Sequence, residues 1–255
     1  VTAAWLNPAG GLRYHARGFR YAKTLWYDFR FALAEWLYAW QPPEKRLVLV
    51  GPSAGYCFQP FFFERFEEIL CLEPDPVARR LFAFRLARAP LEKRPRLRFE
   101  AKDLLLGDPT AFADRLAAEG DVCVLFSNVV GQFRVLYGAA SMDDPRLARL
   151  RTSILPALGA RSFASFHDRV SGQLEPVIGG AVELDGRLDD REIAEHFYPG
   201  NDDPDAMIRP DGSGPLLDHL TEGFFPPDRP HAYFSWELMP GTFHLVEATA
   251  RTRVD

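Results

Sequence analysis

From residue 46 onward, short apolar runs alternate with longer mixed stretches. Arg46-Leu-Val-Leu-Val50 and Ile69-Leu-Cys-Leu72 are unbroken aliphatic runs, the pattern of parallel strands covered on both faces. Arg96-Leu-Arg-Phe-Glu-Ala101 alternates and reads as a third strand, Asp121-Val-Cys-Val-Leu-Phe126 as a fourth, and Arg161-Ser-Phe-Ala-Ser-Phe166 as a fifth. Helices are predicted at 57–68, from Asp75-Pro76 onward, at 109–119 and at 144–156. Asp75 as N-cap with Pro76 in the first turn is a strong start signal. Strands separated by helices of this length imply a parallel sheet with right-handed crossovers. The ending differs: His231–Leu238 and Thr242–Arg251 flank Met239-Pro240-Gly241, which predicts an antiparallel hairpin.

Two regions fall outside the alternation. Residues 12–41 read as helical and stop at Gln41-Pro42-Pro43. This leader, bounded at 1–43, holds Trp5, Trp26, Trp36 and Trp40 among many other rings, too many for one narrow buried stripe. Three readings stay open for it: packing across the domain, pairing with a second copy in a homodimer, or a lid over a substrate pocket. The main domain is expected at 44–255. Within it, residues 170–230 are rich in Asp, Gly and Pro around one helix at 190–198, as expected of a binding cap or loop insertion.

The turn after the first strand carries the candidate chemistry. In Gly51-Pro-Ser-Ala-Gly55, the glycines allow sharp turns and close approach of a ligand. Glu73 follows Gly51 by 22 positions, near the spacing of about 20 at which nucleotide-binding α/β folds place the acid that holds ribose hydroxyls. The pairing points to an adenosine-containing cofactor. Composition narrows the partner: a net charge of −5 and a pI near 5.7 give no general attraction to phosphate backbones, so nucleic acid is disfavoured. The Arg79–Arg98 stretch reads as the solvated face of a helix and its connecting loop. Three dispersed cysteines fit a reducing compartment. With no secretory pattern and no apolar run of spanning length, a cytoplasmic protein that does not cross a membrane is the expectation. No metal site is expected; the Asp spacing of Asn201-Asp-Asp-Pro-Asp205 lacks the glycine and glutamate of a calcium loop.

Alternating strands and helices with a terminal antiparallel hairpin, the glycine loop and the acid together resemble the class I, Rossmann-like S-adenosylmethionine-dependent methyltransferases over residues 44–255. The resemblance implies a mostly parallel seven-stranded sheet with helices on both faces and one antiparallel strand near an edge. It implies that Gly51, Ser53 and Gly55 wrap the methionine portion of the cofactor, that Glu73 holds the ribose and that Asp103 contacts adenine. Phe126, Ser127 and Asn128 would lie beside the methyl group. The chain departs from the family where Gly51-Pro-Ser-Ala-Gly55 replaces Gly-x-Gly-x-Gly. It departs again where Asn128 precedes Val-Val-Gly instead of Pro-Pro-aromatic, which disfavours base or glutamine amino groups as acceptors.

Each candidate also has a plainer reading. Glu73 could be an exposed charge at a helix start, and Asp103 a turn residue. Tyr56 closes the cofactor pocket or belongs to the core. His167 and Asp168 follow the fifth strand, where an imidazole could take a proton from an acceptor, or merely bond backbone. Asn128 orients a substrate or satisfies a turn. His231 and His244 read as structural. The expectation is methyl transfer from S-adenosylmethionine to a small-molecule or peptide acceptor. Its rivals are an inactive methyltransferase-like binding or dimerisation protein and a nicotinamide-dependent oxidoreductase.

Overall fold

The computed structural model describes residues 11–102, 105 and 109–253. The leader forms two helices, α1 (Gly11–Tyr21) and α2 (Tyr27–Ala39), instead of one. β1 (Arg46–Val50) leads through the glycine loop into a short 3-10 turn at Pro60–Arg65, then β2 (Glu68–Leu72). The helix expected at 57–68 is therefore absent. The segment between Gly55 and Phe66 is dominated by Phe58, Phe62 and Phe63, all buried against one another, so it packs as a ring cluster and not along one helical face.

Alternation then proceeds as the pattern predicts: α3 (Pro76–Arg88), β3 (Arg96–Glu100), α4 (Pro109–Glu119), β4 (Cys123–Ser127), α5 (Phe133–Tyr137), α6 (Pro145–Leu158) and β5 (Phe163–Gly172). Asp75 caps α3 by accepting the Val77 N–H at 2.8 Å, with Pro76 at the first helical position. The 173–230 segment is not one long loop. It contributes β6 (Ala181–Leu184), α7 (Asp190–Phe197), α8 (Pro204–Met207), β7 (Ile208–Arg209) and β8 (Leu216–Asp218). A capping box between Asp189 and Glu192 starts α7. The chain ends in β9 (His231–Met239) and β10 (Thr242–Arg251).

The strand order is β3-β2-β1-β4-β5-β10-β9-β6, with β7 and β8 attached beside β5. Strands β1 to β5 pair in parallel, while β10 runs antiparallel to both β5 and β9. The seven expected strands are present, and the inserted segment adds three short ones.

Each face of the sheet has its own cover. Leu47, Leu49, Ile69, Cys71 and Phe166 share a core with Trp26, Phe29, Leu33 and Leu37 of the leader and Phe82 of α3. Val48, Val50, Leu70 and Phe126 pack on the other side against Phe112, Leu116, Leu150 and Ile154 of α4 and α6. The leader covers the first of these faces over the terminal hairpin, with Phe29 stacked on Trp236 of β9 at 4.8 Å, while the Phe58–Phe63 ring cluster lies against Phe166 and Phe82. Trp26 donates its indole N–H to the Leu238 carbonyl at 3.0 Å, which ties α1 and α2 to the terminal hairpin. Tyr27, Phe31 and Tyr38 of α2 stay exposed.

Candidate active site

Two groups of residues lie above the carboxyl ends of the parallel strands. The first is the crest over β1 and β2. Gly51, Ser53 and Gly55 all have positive φ, at +64°, +49° and +69°, so the loop curls back on itself. At Gly51 an added Cβ would lie 2.1 Å from a Val129 methyl, and the ends of β1 and β4 can sit this close only without one. Glu73 is 6% exposed. Its carboxylate accepts the Ser53 N–H at 2.8 Å and the Asp75 N–H at 3.0 Å, one on each oxygen. It therefore splints the loop to the start of α3. Burial pushes its carboxyl up to about 7, against the pull of the two amide donors. A carboxylate has about four acceptor sites, so capacity for further donors remains.

The other cofactor candidates are placed differently. Tyr56 is wholly buried beneath α1, its ring among Tyr14, His15 and Trp26 with the Arg85 guanidinium 4.7 Å away. Burial pushes its phenol up to about 12. Phe126 points into the α4–α6 core, between Phe112 and Phe225 at 5.9 and 6.0 Å. Its ring belongs to the face that helices cover. Ser127 ends β4 and is buried. Asp103 lies outside the described residues.

The second group surrounds a cavity of about 130 Å³ lined by Tyr14 and Arg17 of α1, Asn128, Gly131, Gln132, Val135, Asp168, His219, Trp236, Leu238 and His244. A β-bulge builds its polar wall. Asp168 pairs with Val246 and Val170 with Leu245, which leaves Arg169 as the extra residue on β5. Because side chains alternate along a strand, that extra residue turns Asp168 and Ser171 to the same face as His244. Arg169 goes to the other face and is buried against Asp218 at 2.7 Å, Asp190 and Glu247. Burial alone would lower its pKa, but these carboxylates raise it instead.

Asp168 is held on both sides. The Asn128 amide donates to Asp168 Oδ2 at 3.0 Å, and Asn128 Oδ1 accepts the Asp168 N–H at 2.9 Å. Asn128 has φ +52°, a left-handed position that Asn tolerates better than most residues. Asp168 Oδ1 lies 3.0 Å from His244 Nδ1. Burial pushes the Asp168 carboxyl up, but His244, His219 and Asn128 outweigh it and hold it at about 2. His219, in the turn after β8, donates Nδ1–H to the Gly131 carbonyl at 2.9 Å, and its Nε2 lies 2.8 Å from Ser171 Oγ. Gly131 has no room for a side chain, since a Cβ there would lie 2.6 Å from the Asp168 carbonyl oxygen.

His167 does not join this group. One residue before Asp168, it faces the opposite core, 3.1 Å from Ser165 Oγ and stacked on Phe225. Burial lowers its pKa to about 4, so it is neutral near pH 7. His244, read from sequence as structural, faces the cavity instead. His219, Gly131 and Tyr14 carried no local signal; His219 is 51 residues from Asp168 and His244 is 76.

The two groups meet at consecutive residues. Val129 touches Gly51 on the crest, and Asn128 grips Asp168 in the cavity. A five-strand parallel core in the order 3-2-1-4-5, followed by an antiparallel strand between the fifth and the penultimate strand, decides the architecture. This is the class I methyltransferase fold. No protein-family model matches the sequence, and no curated protein is significantly similar to it. Among solved structures, an S-adenosylmethionine-dependent methyltransferase from Anabaena variabilis is 13% identical with a TM-score of 0.43, over 92% of this chain and 91% of that one. A putative O-methyltransferase from Nostoc punctiforme is 12% identical with a TM-score of 0.42, over 92% of this chain and 60% of that one. The methyltransferase domain of a bacterial CtHen1 is 15% identical with a TM-score of 0.34; the match spans 56% of this chain and 65% of that domain. Scores this low add nothing to what the strand order shows. No described helix is long and apolar enough to cross a membrane.

Proposed function

We propose that the protein transfers a methyl group from S-adenosylmethionine to a small-molecule acceptor. The observation that carries this reading is the junction at Asn128 and Val129, where the glycine-loop crest and the polar cavity adjoin over the parallel strands. Ligands of open α/β sheets bind in that position.

The crest residues fit the cofactor. The curled Gly51–Gly55 loop would hold its methionine portion, and the remaining acceptor sites of Glu73 would take its ribose hydroxyls. The cofactor supplies an activated methyl group, so the chain's work is chiefly alignment. Alignment can contribute about 7–11 kcal/mol in the best intramolecular models.

On the acceptor side, Trp236, Leu238 and Val135 offer apolar walls, and Asp168, His219 and His244 offer a polar one. A heteroatom nucleophile fits against the polar wall, with Asn128 fixing the Asp168 carboxylate. Tyr14 and Arg17 bring the leader into the same cavity. A volume of about 130 Å³ suits a small molecule or one side chain of a peptide.

The oxidoreductase reading is weakened by β10, which runs antiparallel inside the sheet, whereas the dinucleotide fold continues in the order 3-2-1-4-5-6 with mostly parallel strands. Calorimetry tests the proposal against an inactive scaffold. Saturable binding of S-adenosylmethionine at one site per chain, weakened by Glu73→Ala, is expected. Absence of binding by the unaltered protein would leave the scaffold as the better account.

A further inference from the structure

The polar wall of the cavity has the makings of a metal centre. Asp168, His219 and His244 each offer one ligand atom, and these atoms lie within 4.8 Å of one another. They come from three separate elements, and all three residues are more than nine-tenths buried, at 5%, 6% and 9% exposure. Two of these ligand atoms have only each other as neighbouring polar partners among the described residues. Asp168 Oδ1 and His244 Nδ1 lie 3.0 Å apart as an ion pair without the alignment of a hydrogen bond, and among the described residues neither atom is hydrogen-bonded to another group. Buried polar atoms are rarely left so. An ion seated between them and His219 would satisfy both atoms at once.

The surrounding contacts have the form of an outer coordination shell. A ligating histidine usually donates its second ring N–H to a carbonyl or carboxylate, which fixes the tautomer. His219 Nδ1–H does this to the Gly131 carbonyl, so Nε2 carries the lone pair. Asn128 secures the second oxygen of Asp168. Gly131 packs directly against the Asp168 backbone, so the carbonyl that orients His219 is fixed relative to the carboxylate's strand.

We propose that Asp168, His219 and His244 bind a divalent first-row transition metal, with open coordination positions facing the cavity. Two imidazoles and one carboxylate favour zinc or iron over magnesium or calcium, which prefer all-oxygen sites. With bonds of about 2.1 Å, tetrahedral ligand atoms lie about 3.4 Å apart. On binding, Asp168 Oδ1 and His244 Nδ1, now 3.0 Å apart, therefore ease slightly apart to admit the ion, and the Ser171 hydroxyl turns away from His219 Nε2. The metal site stands whether or not methyl transfer occurs. Its role rests on the proposed function: an open position would take the acceptor's heteroatom and ease loss of its proton.

The test uses the purified full chain, stripped with a chelator and titrated with Co²⁺ and Zn²⁺. One equivalent of Co²⁺ should bind and develop the visible bands of a nitrogen- and oxygen-ligated ion, and Zn²⁺ should displace it. His219→Ala and His244→Ala should each weaken Zn²⁺ binding by about 100-fold or more. Asn128→Gly should weaken it by about 10–100-fold, as for other outer-shell changes. Ser171→Ala should bind at least as tightly as the unaltered chain. Circular dichroism identifies any variant that fails to fold; Asp168→Asn, which preserves shape, then takes its place. Uptake of less than one equivalent at micromolar metal would overturn the proposal. So would undiminished affinity in the folded histidine variants. Because no cofactor is present in this titration, its result is independent of whether S-adenosylmethionine binds.

Discussion

Over β1 and β2 the groups that define the site are backbone amides and one carboxylate; over β4, β5 and β10 they are side chains drawn from α1 to β10. The crest is held by Glu73 accepting the Ser53 and Asp75 amides, so its shape is set by main chain within one strand-loop-strand unit. The cavity depends on a bulge at Arg169, a turn at Gly131 and a histidine from the inserted segment. A main-chain site can bind the same cofactor in many proteins, while a side-chain site can be rebuilt for each acceptor. The two halves should accordingly fail separately when altered.

The largest expected effect is on the cavity side. Arg169→Ala removes the wholly buried guanidinium that joins Asp218, Asp190 and Glu247, leaving Glu247 only Arg187 and His231 among its described charged neighbours. Breaking a buried charge network in this way costs about 3–5 kcal/mol, measurable as a fall in the urea midpoint. The chain that remains folded should keep its cofactor affinity. Loss of that affinity would show that the halves are coupled.

The next effect belongs to the crest and is a pH dependence. Folded Glu73 holds its proton up to about 7, against 4.5 as the ordinary value. Between those values the folded chain binds more protons than the unfolded one, so stability declines as pH rises across the window and levels off above 7. The full difference is about 3 kcal/mol at most, from 1.36 kcal/mol per unit. Glu73→Gln should flatten that part of a stability-versus-pH profile. Cofactor binding should follow the opposite course: ribose hydroxyls donate to the ionised form, so affinity should fall as pH drops through about 7.

Smaller and more selective is Asn128→Gly. Glycine keeps the +52° backbone of this position and removes the grip on Asp168. Turnover of a competent acceptor should fall by about 10–100-fold with cofactor affinity unchanged. The smallest effect is expected at His167, which faces the opposite core. His167→Gln should cost about 1 kcal/mol through its lost Ser165 bond and leave turnover within about twofold. A large kinetic loss there would return His167 to the site.

These contrasts explain what could be read from the chain beforehand. Aliphatic runs, Asp75-Pro76 and the terminal hairpin specify their own backbone, so the parallel strands, the hairpin and the glycine-loop turn were legible, whereas the order of strands in the sheet is a matter of long-range pairing. Two local patterns misled. The Phe-rich 57–68 stretch has helix length but packs as a ring cluster, and Phe126 ends an apolar strand but points into the core. Alternation along β5 separates Asp168 from His167, and a bulge that no periodicity announces then sets Asp168 and Ser171 on the face of His244. Histidines 219 and 244 acquire meaning only once β8 and β10 are laid against β5. The leader was legible as helical and aromatic, but its turn at 22–26 and its place against β9 depend on partners more than 190 residues away in sequence, Phe234, Trp236 and Leu238.

The most direct test of the central claim is a crystal structure of the full chain with S-adenosylhomocysteine. The nucleoside should lie on the crest beside Gly51, with both ribose hydroxyls within hydrogen-bonding distance of Glu73 and the sulfur directed toward Asn128. A nucleoside bound elsewhere, or a Glu73 carboxylate still engaged only by the Ser53 and Asp75 amides with the ribose out of reach, would contradict it.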